Sequence, residues 1–140
     1  MIDEIQYKGK ITGVEIDAET ITLANKYFGL DKIENLQIVI ADAEKFVAET
    51  KETYDLIILD IFEDNIMPDF LFENAFISNV LKVLNTNGFV IFNTIVSDNS
   101  AQIRNEKFVK LIVSKNIKLQ RIPNLEGDNE LLILNQLIVK

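Results

Sequence analysis

The chain has 140 residues, 48% hydrophobic and 26% charged, with a formal charge of −8 and a pI near 4.5. That is enough for one compact core and too little for two, and the acidic balance opposes tight binding to nucleic acid, which needs clustered Lys and Arg. With no cysteine and no histidine, a disulfide framework, a thiolate nucleophile, an imidazole base and Cys or His metal ligands are all excluded. Acid–base chemistry is left to Asp, Glu, Lys and Tyr, no metal is required, and a small or cationic substrate fits better than nucleic acid. No stretch approaches the ~18 to 20 continuous apolar residues of a membrane span. Met1-Ile2-Asp3-Glu4 also lacks the basic flank and apolar run of a signal peptide. The expectation is a cytoplasmic protein, without a membrane partner, folded as one domain over residues 1–140.

In chain order, Ile2, Ile5 and Gln6 read as the last turns of a helix that stops at Tyr7-Lys8-Gly9-Lys10. Lys10-Ile11-Thr12-Gly13-Val14-Glu15-Ile16-Asp17 is a mostly β-branched run ending in two acids, with a helical pattern directly behind it. It reads as a strand that delivers Glu15 and Asp17 to the sheet edge where open α/β sheets bind ligands. A Glu carboxylate is acceptor-only, with two oxygens at diol spacing, and suits a ribose. Asp17 suits the N-cap of a helix from Ala18 to Phe28, with Ile21, Ala24 and Phe28 on one face and Gly29 just past its end.

Leu36-Gln37-Ile38-Val39-Ile40 reads as a strand buried on both faces, and Asp42 caps a short helix through Ala48. Tyr54 to Asp60 repeats the pattern of an apolar run ending in an acid and is placed centrally in the sheet. Ile61 to Asp69, with Glu63, Asp64 and Asn65, reads as a loop at the ligand edge. A helix with Phe76, Ile77, Val80, Leu81 and Leu84 in an apolar stripe ends at Asn85-Thr86-Asn87-Gly88. A strand from Phe89 to Thr94, a polar loop over Ser97 to Ser100 and a helix from Ala101 to Ser114 follow. Ile117 to Ile122 and Leu131 to Leu134 close the chain without a helical pattern between them, as an antiparallel strand pair.

This order of units resembles the class I S-adenosylmethionine-dependent methyltransferases, and within them the spermidine-synthase-like branch. The resemblance is carried by Gly13-Val14-Glu15-Ile16-Asp17 with Ala24-Asn25-Lys26-Tyr27-Phe28, by Ala41-Asp42-Ala43, by Tyr54-Asp55-Leu56-Ile57-Ile58-Leu59-Asp60 and by Leu84-Asn85-Thr86-Asn87-Gly88-Phe89. It implies an α/β, Rossmann-like methyltransferase fold, with a mostly parallel sheet and an antiparallel C-terminal pair. It also implies S-adenosylmethionine, or its decarboxylated form, as cofactor. By resemblance, Glu15 holds the cofactor ribose, Ile16 packs on the adenine face and Asp42 accepts from the adenine amino group, with Ala43 nearby. Asp42 reads equally well as an ordinary helix cap, and Ile16 as simple strand packing.

Asp60 stands where aminopropyltransferases open an Asp-Ser-Ser/Thr-Asp-Pro motif that binds and deprotonates the attacking amine. Here the run is Asp60-Ile61-Phe62-Glu63-Asp64, so the carboxylate spacing survives in Asp60 and Glu63 while the hydroxylated residues have become Ile and Phe. Asp60, Glu63 and Asp64 read equally as a solvated acidic loop. The family's first strand and Gly-rich turn are read as missing ahead of Tyr7, which makes the chain the C-terminal two-thirds of the family fold. Three functions follow as expectations: a methyltransferase-like transferase, an aminopropyltransferase relative acting on an amine, and a non-catalytic interaction domain. An incomplete sheet adds self-association to these expectations.

Overall fold

The computed structural model describes residues 7–63, 66–125 and 127–136; the helix expected over residues 1–6 lies outside them. The chain divides into two compact units, Met1–Glu49 and Thr50–Lys140.

The first unit is a βαβα run. Strand β1 (Ile11–Glu15) leads into helix α1 (Ala18–Phe28), a short 3-10 turn (Leu30–Lys32), strand β2 (Leu36–Ile40) and helix α2 (Ala43–Glu49). α1 has the bounds its sequence predicts. Asp17 accepts from the Glu19 backbone N–H at 2.8 Å, and Gly29 takes a left-handed conformation (φ 67°) that lets its own N–H reach the Ala24 carbonyl. β1 and β2 are parallel, with Ile11 opposite Leu36 and Glu15 opposite Ile40. The full burial expected of β2 is not met: Ile40 is 50% exposed, because β2 bonds to β1 alone among the described residues.

The second unit holds strand β3 (Tyr54–Leu59), a 3-10 turn (Asp69–Phe72), helix α3 (Asn74–Lys82), strand β4 (Leu84–Ile95), helix α4 (Asn99–Ser114) and strands β5 (Ile117–Leu125) and β6 (Asn129–Gln136). Its sheet has the order β3-β4-β6-β5. β3 and β4 are parallel, while β6 runs antiparallel to both β4 and β5. The closing strand pair is therefore antiparallel, as its helix-free connection predicts. Among the described residues β3 is an edge strand rather than the central one expected, and Leu56 and Ile58 are 49% and 64% exposed. Their continuous hydrophobicity is the mark of a strand built for burial on both faces, but among the described residues it has a neighbour on one side only.

The other face of this sheet carries the core. Val90, Phe92, Leu132 and Leu134 alternate inward along β4 and β6 and meet Phe76, Ile77 and Val80 of α3 and Phe108 and Ile112 of α4, all buried. The rings of Phe72, Phe92 and Phe108 pack with centroids 5.3–5.7 Å apart. The Asn85-Thr86-Asn87-Gly88 stretch does not stop a helix as expected: α3 already ends at Lys82, capped by Val83, and Leu84, placed on the helical stripe by its spacing, opens β4 opposite Tyr54. The stretch lies within β4 as an irregularity, with Asn87 left-handed (φ 65°) before regular pairing resumes at Phe89. Gly88 is needed there: a Cβ on it would come within 2.9 Å of both the Asn85 and Asp55 carbonyl oxygens.

A buried polar cluster fastens α4 to the sheet. Glu130 accepts from Arg121 Nε at 2.7 Å and from Asn105 Nδ2 at 3.3 Å. The Asn105 amide also donates to Thr94 Oγ1 at 2.8 Å. Arg121 reaches Glu106 on α4 as well, at 2.6 Å, and its hydrogen bonds to Glu130 and Glu106 hold the guanidinium pKa above its ordinary value. Because every member is paired, the cluster avoids the cost of an unpaired buried charge. Among the described residues no helix is long and apolar enough to cross a membrane.

Candidate functional site

In the first unit, strand register brings Glu15, Ile16, Asp42 and Ala43 to one edge. Glu15 ends β1 opposite Ile40, and the Ala41 N–H donates to the Glu15 carbonyl at 2.9 Å, so the segments carrying Glu15 and Asp42 leave the sheet at its C-terminal end together. Glu15 Oε1 accepts from the Asp17 backbone N–H at 2.9 Å, which steadies the side chain and leaves Oε2 without a partner among the described residues. Asp42 Oδ1 accepts from the Glu44 N–H at 2.8 Å as α2 begins, so Asp42 does act as a helix cap. Its Oδ2 remains open among the described residues, and the two roles do not exclude each other. Ile16 is 69% exposed, which removes strand packing as its explanation and leaves a bare apolar surface beside two acceptors. Ala43 is the first residue of α2. This edge can supply acceptors for hydroxyls and an amine and an apolar contact for a flat ring.

In the second unit, Asp60 directly follows β3 and is exposed. Its Oδ1 accepts from Asn93 Nδ2 at 2.9 Å, while Oδ2 has no partner among the described residues. Glu63 is exposed and exchanges backbone hydrogen bonds with Ile66, each 2.9 Å long. Ile61 and Phe62, which replace small hydroxylated residues, are half-buried, so they anchor the segment between the two carboxylates. Asp64 and Asn65 lie outside the described residues. Among those that are described, no hydrogen bond ties Asp60 to Glu63; the partner that Asp60 does have, Asn93, is not one its sequence neighbourhood predicts. The available signal was a polar Asn93-Thr94 pair ending the apolar run Phe89-Val90-Ile91-Phe92.

An open groove of about 390 Å³ lies between the 3-10 turn and α4, lined by Phe72, Arg104, Lys107 and Leu111 among others. Its lining includes none of Glu15, Ile16, Asp42, Ala43, Asp60 and Glu63. Arg104 is already engaged there: its guanidinium stacks 4.1 Å from the Phe72 centroid and donates to the Ile95 carbonyl at 3.0 Å. Burial lowers its pKa from the ordinary value, against the opposing pull of Asp69 and Asp98.

Residues 3–119 match the family model of the spermine/spermidine synthase domain. The chain is 32% identical over 108 residues to the probable polyamine aminopropyl transferase of Bifidobacterium longum, covering 76% of this chain and 24% of that protein. It is 36% identical over 83 residues to the polyamine aminopropyltransferase of Methanocaldococcus jannaschii, covering 56% of this chain and 28% of that one. The chain thus spans about a quarter of the length of these curated relatives. Human methyltransferase-like protein 13, solved in complex with SAH, superposes with a TM-score of 0.79 over 99% of this chain and 66% of that one. At 22% identity this likeness shows a shared Rossmann-like methyltransferase fold and nothing finer. The match over most of its length places the chain in the spermine/spermidine synthase domain family, on the methyltransferase fold that its serial motifs resemble.

Proposed function

We propose that the chain carries the cofactor and amine determinants of an aminopropyltransferase. The observation that carries this reading is the exposed Asp60 carboxylate at the tip of β3, with one oxygen tied and one open, in a chain of the spermine/spermidine synthase domain family. The edge at Glu15 fits the nucleoside end of decarboxylated S-adenosylmethionine: the open Glu15 oxygen accepts from the ribose, Ile16 lies against the adenine, and the open Asp42 oxygen accepts from its amino group, with Ala43 alongside. When bound, that cofactor supplies an aminopropyl carbon on a sulfonium sulfur; an amine lone pair forms the new C–N bond as the C–S bond breaks, its electrons passing to sulfur. Asp60 holds the incoming ammonium and takes one of its protons, which frees the nitrogen lone pair for the attack. Glu63, one carboxylate further along, holds the distal cationic group of a polyamine. Correct positioning accounts for most of the catalysis in such a displacement.

A calorimetric titration tests this. The chain is expected to bind decarboxylated S-adenosylmethionine saturably, with Glu15→Ala weakening binding about tenfold or more. Incubation with a diamine should give an aminopropylated product, lost in Asp60→Asn and reduced in Glu63→Ala. Saturable binding of S-adenosylmethionine with methyl transfer instead would move the assignment to a methyltransferase. No binding of either form would leave an interaction domain.

A further inference from the structure

Strand register sets Asn93 beside Asp60. With Leu59 opposite Phe92 in the parallel β3–β4 pair, the next residue of each strand, Asp60 and Asn93, leaves the sheet on its other face, side by side. The Asn93 amide donates to Asp60 Oδ1 at 2.9 Å. Its carbonyl oxygen, by contrast, is shut off from solvent and meets no donor, the one such side-chain atom among the described residues. A buried acceptor without a partner gives up its hydrogen bonds to water and gains none in return. The strand neighbours on the same face, Ile91 and Ile95, are aliphatic, so stability alone favours an aliphatic residue at 93. Turning the amide over offers no relief, because its carbonyl would then face the Asp60 carboxylate. A polar group kept at this disadvantage needs another reason to be there.

We propose that Asn93 is a positioning residue for Asp60. Its amide ties one carboxylate oxygen, restricts rotation of an otherwise exposed side chain and leaves Oδ2 as the oxygen presented to the ligand. A neutral donor suits this role, because it orders the carboxylate without cancelling the charge that attracts an ammonium, as a Lys or Arg in its place would. Ordering matters because a ligand that binds only one rotamer loses apparent affinity in proportion to that rotamer's population. The inference deepens the aminopropyltransferase reading and rests on it for the identity of the ligand.

The test measures binding of 1,4-diaminobutane by calorimetry for the wild-type chain, Asn93→Leu, Asp60→Asn and the double variant, each with its melting temperature and, where Asp60 is present, the ¹³C resonance of its side-chain carboxyl. Asn93→Leu is expected to melt no lower than the wild type, to bind the diamine on the order of tenfold more weakly and to displace the Asp60 carboxyl resonance. On the Asp60→Asn background it should change affinity no further, since it acts through Asp60. Wild-type affinity in Asn93→Leu, or an equal loss of affinity on both backgrounds, overturns the assignment. Asn93→Ala supplies the same comparison should leucine prevent folding. If the wild-type chain takes up no diamine, the amine reading fails by itself; the carboxyl resonance then decides the role of Asn93, displacement upholding it and an unmoved signal overturning it.

Discussion

The two units of the chain solve the same folding problem to different degrees. Every fully buried apolar residue among those described lies in Thr50–Lys140; in Met1–Glu49 the side chains of Leu23, Tyr27 and Phe28 are 53%, 64% and 86% exposed. Both units use the same ingredients, parallel strands that alternate with capped helices. The second adds an antiparallel pair, which widens its sheet to four strands and lets two helices close a core on one face. The first, with two strands, has too little sheet to bury its helices and depends on caps and backbone bonds. The lesson is that well-formed local structure and stability are separate achievements: α1 is capped at both ends and yet buries nothing fully.

The sharpest way to test that contrast is to remove the centre of the second unit's core. Phe92→Ala deletes a ring that is fully buried against Phe72 and Phe108 and should cost about 3–5 kcal/mol in chemical denaturation. Glu130→Ala comes next. It strips Arg121 and Asn105 of their buried acceptor and should cost about 2–3 kcal/mol, toward the low end for a buried pair because the Arg121 side chain is 36% exposed. In the first unit the largest single effect should come from a cap rather than from packing. Asp17→Ala removes the bond to the Glu19 N–H and should cost about 1 kcal/mol, read as lost helicity of α1 and faster amide exchange there. Leu23→Ala, at a half-exposed apolar position, should change stability by no more than about 0.5 kcal/mol. A Leu23→Ala effect as large as that of Phe92→Ala would break the contrast outright, since it would mean the first unit has a core of its own.

Much of the fold was legible because its signals are local. α1 was readable to the residue from Asp17 and Gly29, which act on backbone groups within a turn. The closing antiparallel pair was legible from the missing helical period between its strands. The position of β3 was not, because an apolar run reports the burial a strand is suited to and not how many neighbours it has. The candidate site divides along the same line. Glu15, Asp42 and Asp60 stand out because each ends an apolar strand, and the structure sets each at a strand tip. Asn93 did not stand out, since its partner is 33 residues away and only register makes them neighbours.

By itself, then, the sequence determined the kind and order of the strands and helices, which acids arrive at strand tips, and the family to which their serial spacing belongs. These depend on periodicity and capping over a few residues, and such forces act whatever the rest of the chain does. Only the tertiary structure decided the strand order, the one-sided burial of the second sheet and the pairing of Asp60 with Asn93. Those depend on which distant segments hydrogen-bond in which register, and a side chain's partner is set by that alignment rather than by its neighbours in sequence.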